Sequence, residues 1–213
     1  MRSIDLETWP RRKHFELYRR FDYPHFNVTA TINVDQMLMV AGRQSASLTI
    51  VITYLLARTA NQLSDFRLRI HDREVIEHEI VHPSITILTP DELFSFCTIE
   101  YSPEFSEFAA IARERIAHVR AQPTLKDEAG LDNLLFMTSI PWISFTSFMH
   151  PIHMHPIDSV PRFAWGKIHT VDGRQVMPLS VQAHHALMDG LHVARYFAKL
   201  QENCDTAATL LEP

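Results

Sequence analysis

Apolar and polar residues alternate over residues 26–34, which is the pattern of a strand with one buried face. Over residues 48–63, apolar residues recur at helical spacing, and much of the remaining helix surface is apolar as well. We therefore predict a deeply buried helix there, opened by Ser45 or Ser47. The clearest amphipathic helix is predicted over residues 103–121, because its apolar residues fall on one side and proline occupies its first position.

Shorter patterns of the same kind predict the other elements. Helices are predicted over residues 9–21, over 35–44 and over 190–203, with a frayed tail up to 213. Strands are predicted at residues 66–78 (a hairpin), 84–89, 94–100, 134–139, 142–150, 163–169 and 174–183. Because strands and helices do not alternate strictly, we expect a sheet of mixed direction. No linker or repeat interrupts the pattern, so residues 1–213 are expected to form a single domain.

Composition narrows the class of protein. The chain is 46% hydrophobic and 21% charged, which is typical of a globular protein. Its net charge of −5 and the lack of a basic cluster larger than residues 11–13 argue against a nucleic-acid partner. Cys97 and Cys204 are too few for a disulfide framework. With no apolar leader and no run long enough to span a bilayer, we expect a cytoplasmic protein and no membrane partner.

A polar turn between a predicted strand and the last predicted helix carries the most reactive side chains. It contains His184, His185, Asp189 and Gly190. Histidine is the natural general base near neutral pH, and a nearby aspartate can support it. Two structural interpretations compete with catalysis. Asp189 can cap the helix that follows, and adjacent histidines can be strand residues with one side chain inside and one outside.

Two groups of histidines are spaced closely enough in sequence to be considered as metal ligands. They are His150, His153 and His155 in one group, and His184, His185 and His192 in the other. The first group lies among prolines without accompanying cysteines or carboxylates. The second contains adjacent strand residues, which point to opposite faces and rarely bind one ion. We therefore expect no metal. With only five glycines and no glycine-rich phosphate loop, we also expect no nucleotide-binding fold.

Four motifs, in order along nearly the whole chain, make a more specific pattern. They are Trp9-Pro-Arg-Arg-Lys-His-Phe15, Pro141-Trp-Ile-Ser-Phe-Thr-Ser-Phe148, Gly166-Lys167, and Pro178-Leu-Ser-Val-Gln-Ala-His-His-Ala-Leu-Met-Asp-Gly-Leu-His-Val-Ala-Arg195. Together they resemble the chloramphenicol acetyltransferase family. The resemblance implies an α/β (α+β) fold, a two-layer sandwich with a mixed β-sheet. It also implies a homotrimer with an active site at each subunit interface, acetyl-CoA as co-substrate, and a role in antibiotic resistance.

The resemblance also implies roles for individual residues. His185 would be the general base that takes the proton from the acceptor hydroxyl. Asp189 would pair with Arg11 and tie the N-terminal segment to the catalytic turn. Thr138 stands where the family has a serine that donates a hydrogen bond to the oxyanion, and it would take that role. Ser139 is the alternative donor if the register is shifted by one residue.

Four aromatic positions of the family's acceptor pocket match residues of this chain. They are Tyr18, Phe26, Phe94 and Phe148. For Phe26 and Phe148 a place in the hydrophobic core is an equal expectation. Two departures bear on the acceptor. Ala164 replaces a common threonine, and residues 149–151 read Met-His-Pro where the family usually has Asn-Leu-Asn.

These expectations lead to one favoured function and three alternatives. The favoured function is acetyl-CoA-dependent O-acetylation of chloramphenicol. One alternative is acyl transfer to a different hydroxyl or thiol acceptor. Another is the catalytic core of a dihydrolipoamide acyltransferase, which shares the His-His-x-x-x-Asp-Gly pattern. The third is a non-catalytic module that binds a small ligand on the same scaffold.

Overall fold

The computed structural model of the chain describes residues 1–43, 46–125, 130–153 and 158–211. Its strands are β1 Arg2–Ser3, β2 His25–Asn33, β3 Leu68–His71, β4 Glu74–Glu77, β5 His82–Leu88, β6 Phe94–Thr98, β7 Leu134–Ile140, β8 Arg162–Gly166, β9 His169–Val171 and β10 Arg174–His184. Its α-helices are α1 Arg12–Tyr18, α2 Asp35–Arg43, α3 Leu48–Asn61, α4 Phe105–Ala121, α5 Gly190–Asp205 and α6 Ala207–Leu211, and a short 3₁₀ helix spans Ser64–Arg67.

A seven-stranded sheet forms the larger layer, with strand order β2-β10-β8-β7-β5-β6 and with β9 paired to β10. The β5–β7 and β7–β8 pairs are parallel, and the other pairs are antiparallel. The mixed sheet and the α/β class predicted from the sequence are therefore confirmed. A second, three-stranded sheet has the order β1-β4-β3. It contains the predicted hairpin and a strand at the N-terminus that the sequence did not predict.

Alternation along the strands divides the sheet into two faces. On β10, Leu179 and Val181 belong to the hydrophobic core, whereas Ser180 and Gln182 point to the opposite face. The apolar helix α3 lies in that core, as its sequence predicts, with Ser47 at its N-cap position. Ser45, the other predicted start, lies outside the described residues. The helices thus cover one face of the sheet, and the polar face remains for other contacts.

The prediction of a strand over residues 142–150 is wrong. This segment is irregular, with Trp142 and Ile143 exposed. Its backbone is held by side chains of β10 rather than by a strand ladder, because Ser180 Oγ donates to the Phe148 carbonyl at 2.8 Å and Gln182 Oε1 accepts from the His150 amide at 2.8 Å. Periodicity of apolar residues alone does not distinguish these two ways of holding an extended chain.

Two further expectations change at the C-terminal end. The tail is not frayed as far as Leu211, because α6 packs against α2 and buries Ala207 and Leu211. The strand predicted over residues 163–169 divides into β8 and β9. The break follows Gly166, where an added Cβ atom would lie 2.8 Å from both the Ile143 carbonyl oxygen and a side-chain carbon of Pro178.

In the part of the chain described here, no helix has the length and apolarity needed to cross a bilayer.

Candidate active site

The turn between β10 and α5 is fixed by the side chain of Asp189. Its Oδ1 accepts a hydrogen bond from the Leu191 amide at 3.1 Å, and His192 completes a capping box at the start of α5. The capping role considered for Asp189 is therefore real. It occupies only one of the two carboxylate oxygens, and the other is free to bind elsewhere.

The second oxygen of Asp189 binds the N-terminal segment of the chain. One guanidinium nitrogen of Arg11 donates to Oδ2 at 2.7 Å, and another donates to the His185 carbonyl at 3.1 Å. Burial raises the pKa of Asp189, but the hydrogen bonds from Arg11 and His192 outweigh it and hold that pKa well below its ordinary value. The aspartate is therefore ionised, and Arg11 joins two segments 178 residues apart at the turn.

His185 is the first residue after β10, and its ring lies between aromatic side chains. Its amide donates to the Pro24 carbonyl at 2.8 Å. The imidazole stacks on Tyr18 with 4.1 Å between ring centroids and 3° between planes, and Phe26 lies 4.8 Å away on centroids. The Nδ1 atom is buried without a hydrogen-bond partner among the described residues. Apolar contacts therefore orient the ring, and Nε2 is the nitrogen left for a ligand.

The neighbouring His184 has a different environment. It is only 1% exposed, lies edge-on to His25 at 4.9 Å, and accepts a hydrogen bond at Nδ1 from the Ala186 amide at 3.2 Å. Burial, followed by the positive charges that His25 and His185 carry when protonated, lowers the pKa of His184 to about 3. His184 is thus a neutral, buried strand residue. His185 lies beyond the strand end, so the proposed alternation of the two within one strand is wrong.

Acidification should destabilise the protein through His184. The pKa of His184 is lowered from 6.5 to about 3 by burial, so between these values the unfolded chain binds more protons. The free energy of unfolding then decreases as the pH falls from 6.5, by up to about 1.4 kcal/mol per pH unit for this group. His184→Asn keeps an acceptor for the Ala186 amide and should reduce the slope, measured by urea unfolding at a series of pH values. Identical slopes in both proteins would contradict this assignment.

Thr138 lies near the end of β7 on the face that the helices do not cover. It is paired across the sheet with Ala164, which is paired in turn with Ser180. Its Oγ1 accepts a weak hydrogen bond from Thr86 at 3.4 Å. Ser139 points the other way, into a cavity of about 350 Å³ beneath α3 and α4. The two candidate hydroxyls are therefore on opposite faces of the sheet.

Thr138 and His185 are far apart within one chain. Ser180, in register with Thr138, is four residues before His184, the last residue of β10. With about 3.3 Å per residue along a strand and about 4.8 Å between strands, the Cα atoms of Thr138 and His184 are about 16 Å apart. Both side chains therefore cannot contact one reacting carbonyl from the same chain.

The aromatic candidates also fall into two groups, one near His185 and one on the side of Thr138. Tyr18 and Phe26 contact His185. Phe148 instead lies by Ser180, in the row of residues that contains Thr138. Phe94, on the edge strand β6, is 51% exposed and packs on Phe96 at 5.6 Å between centroids. Phe96 is paired with Thr86, whose hydroxyl contacts Thr138, so Phe94, two residues before Phe96, is on the same face of the sheet as Thr138. The sequence-predicted residues thus form two half-sites: a histidine half-site (Arg11, Tyr18, Phe26, His185 and Asp189) and a threonine half-site (Phe94, Thr138 and Phe148).

Sequence reasoning missed the residues that hold the segment of Phe148 on the sheet. Asn27 donates to Ser180 Oγ at 2.6 Å, and that hydroxyl donates to the Phe148 carbonyl at 2.8 Å. Asn27 and Ser180 are ordinary polar positions of two alternating strands. The only signal available was that they fall on the face opposite the core, which does not specify a partner.

Comparison of the sequence with models of protein families identifies the family of this chain. The model described as "Chloramphenicol acetyltransferase" matches residues 1–201. The chain belongs to the chloramphenicol acetyltransferase family. A similar relative is chloramphenicol acetyltransferase 2 of Haemophilus influenzae, 33% identical over 204 residues, which covers 95% of this chain and 96% of that protein. The resemblance stated from the sequence motifs is confirmed.

Solved structures agree with the family's fold. A structure named chloramphenicol acetyltransferase superposes with a TM-score of 0.83 at 25% identity, covering 93% of this chain and 97% of the other. The cubic core of the pyruvate dehydrogenase multienzyme complex superposes with a TM-score of 0.70 at 20% identity, covering 89% and 84% respectively. The second likeness is one of fold alone.

The threonine half-site carries the two departures from the family pattern that bear on the acceptor. Ala164 is fully buried next to Thr138, so the threonine that the family commonly has there is absent. The His150 ring packs edge-on against Phe148 at 4.8 Å, and in the described structure both ring nitrogens are buried without partners. Burial, and then the charge of Arg162, lowers the pKa of His150 to about 4, so the ring is neutral. His155, once considered with it as a metal ligand, lies outside the described residues.

Proposed function

We propose that this chain is an acetyl-CoA-dependent O-acetyltransferase whose acceptor is chloramphenicol. The observation that carries the proposal is the environment of His185 in a chain of this family: its ring is stacked on Tyr18 at the end of β10 and its backbone is held by the Arg11–Asp189 pair. An imidazole fixed in this way suits a general base.

The reaction follows from this base. Nε2 of His185 removes the proton from the acceptor hydroxyl as the oxygen attacks the carbonyl carbon of the acetyl thioester. The tetrahedral intermediate carries its negative charge on the former carbonyl oxygen, and Thr138 donates a hydrogen bond to it. When the intermediate collapses, the C–S bond breaks and the sulfur of CoA takes the proton from the imidazolium. The products are the acetyl ester and free CoA.

Arg11 and Asp189 are positioning residues in this proposal. They contact the backbone and the helix that follow the base, not the reacting atoms. Arg11 is only 12% exposed in its side chain and closes the N-terminal segment over the turn. Since Tyr18 is in the same segment, this pair also sets the distance between the stacked rings of Tyr18 and His185.

We propose that the complete site forms between copies of the chain, in a homotrimer. The separation of about 16 Å across the sheet supports this, because a threonine half-site can meet a histidine half-site only from another copy. A closed ring of three copies would satisfy every half-site with one kind of contact. The exposed Phe94 on edge strand β6 fits a surface that is covered on assembly.

Chloramphenicol offers a nitrophenyl ring and a primary hydroxyl, which suits a pocket of aromatic side chains beside a base. Both half-sites supply such side chains, namely Tyr18, Phe26, Phe94 and Phe148. Acetylation of the hydroxyl gives antibiotic resistance as the cellular role. Residues 1–213 then act as a single domain, without a metal in the reaction, and the use of acetyl-CoA supports a cytoplasmic location.

The proposal is tested by incubating the purified chain with acetyl-CoA, chloramphenicol and a thiol-reactive dye. We expect release of free CoA that depends on chloramphenicol, with an equimolar acetylated product by mass spectrometry. Binding of chloramphenicol without CoA release would instead favour the ligand-binding module. No binding and no release would reject chloramphenicol as the ligand.

A different hydroxyl acceptor is the second candidate, and His150 and Ala164 favour it. Both alter the threonine half-site next to Phe148 and Thr138. An acceptor that donates a hydrogen bond to the neutral His150 ring would satisfy a nitrogen that is otherwise buried without a partner. The same dye assay with a panel of small alcohols distinguishes the two, because the better acceptor has the higher kcat/KM.

A further inference from the structure

A cluster of two histidines and one aspartate lies outside both half-sites. His71 ends β3, His78 directly follows β4, and Asp132 lies two residues before β7. Nε2 of His71 is 2.5 Å from one carboxylate oxygen of Asp132, and Nε2 of His78 is 3.0 Å from the other. One potential ligand atom from each residue lies within 4.8 Å of the others. The three side chains therefore converge on a single point between the hairpin and the large sheet.

The backbone beneath this cluster is fixed by a buried arginine. Arg69 is 0% exposed, and its guanidinium donates to the carbonyls of Asp132 at 2.7 Å and Leu134 at 2.5 Å. It also donates to the carbonyls of Phe66 and Leu68 in the hairpin segment. These bonds join the loop of Asp132 to the hairpin of both histidines. The ligand positions are thus set before any ion binds, which lowers the cost of binding.

The nitrogen of His78 is the least satisfied atom of the cluster. Nε2 is buried and makes no well-directed hydrogen bond within the described structure, although it lies 3.0 Å from Oδ1 of Asp132. A cation that accepts electron pairs from Nε2 of His78 and from the Asp132 carboxylate at once would give the buried nitrogen a partner. With metal–ligand bonds of about 2.0 Å, tetrahedral ligands are about 3.3 Å apart. The two nitrogen–oxygen distances here are 2.5 and 3.0 Å, so the side chains need to separate slightly to admit an ion.

We propose that His71, His78 and Asp132 bind a divalent transition-metal ion of the zinc class. Two imidazole nitrogens and one carboxylate oxygen are ligands that Zn²⁺ prefers. The side chains of His71 and Asp132 are 43% and 34% exposed, so water has access to complete the coordination. The ion ties the β3–β4 hairpin to the start of β7 and takes no part in acetyl transfer. This inference replaces the sequence-based expectation that the chain binds no metal.

The test uses the full-length protein after chelation and buffer exchange. Titration with Co²⁺, followed by its visible absorption, should give one saturable site with a band typical of nitrogen and oxygen ligands. Zn²⁺ should displace Co²⁺ and raise the unfolding temperature. His71→Ala and Asp132→Asn should each weaken binding by at least about tenfold, since even changes beyond the direct ligands cost that much. His118→Ala, an exposed histidine on α4, is the matched control and should bind as the original protein does.

Two results would overturn the inference: no stoichiometric Co²⁺ or Zn²⁺ binding by the folded protein, or equal binding by the His71 and Asp132 variants. His71 is exposed, so its alanine variant should fold, and circular dichroism checks this. Because the readout is metal binding, failure here is distinguishable from failure of the proposed acetyl transfer.

Discussion

Replacing His185 with alanine should lower kcat for acetyl transfer by about 10²–10⁴-fold, the usual contribution of a positioned general base. Without the imidazole, the acceptor hydroxyl must attack the thioester while still protonated. KM for chloramphenicol should change much less, because Tyr18 and Phe26 remain. Steady-state kinetics with the thiol-reactive dye measure both constants.

The control for this variant is His118→Ala, which removes an exposed imidazole on α4 and should keep full activity. Thermal unfolding of the His185 variant is needed as well, because its ring stacks on Tyr18. A folded His185→Ala protein with the original kcat would show that His185 is not the base.

Replacing Thr138 with alanine should lower kcat by about 10²–10³-fold and leave KM nearly unchanged, as is typical when one oxyanion donor is lost. The hydroxyl is needed only when charge develops on the carbonyl oxygen, so ground-state binding does not depend on it. Thr138→Ser keeps the donor and should retain most of the activity. The same assay at saturating and at limiting acetyl-CoA separates the two constants.

The neighbouring hydroxyl offers a matched control. Ser139→Ala removes a side chain of similar size that points into the cavity beneath α3 and α4, on the other face of the sheet. It should leave kcat within a few-fold of the original. A large loss in the Ser139 variant with none in the Thr138 variant would exchange their roles.

Local patterns predicted those elements whose residues interact mainly with one layer. The alternation over residues 26–34 gives β2, and the apolar surface over residues 48–63 gives α3. The strand prediction for residues 142–150 failed because side chains of a strand more than thirty residues later hold the backbone of this segment. A pattern within nine residues contains no information about such partners.

The candidate site was likewise predicted only in part from the sequence. The motifs named Arg11 and Asp189, and the structure brings them to 2.7 Å, although periodicity says nothing about two residues at opposite ends of the chain. The cluster of His71, His78 and Asp132 was missed because the hairpin of the two histidines and the loop of Asp132 are far apart in sequence and have no recognised spacing. The division into half-sites also required the strand register, since one sequence cannot show which residues share a row of the sheet.

The most direct test of a site shared between copies mixes two inactive variants. His185→Ala and Thr138→Ala chains are co-expressed with different affinity tags, and assemblies that carry both tags are compared with each variant alone. Every mixed trimer contains one interface of three with both residues intact, so the assemblies that carry both tags should regain about a third of the original activity. If mixed assemblies form but remain as inactive as the single variants, His185 and Thr138 do not act on one acetyl group from neighbouring copies.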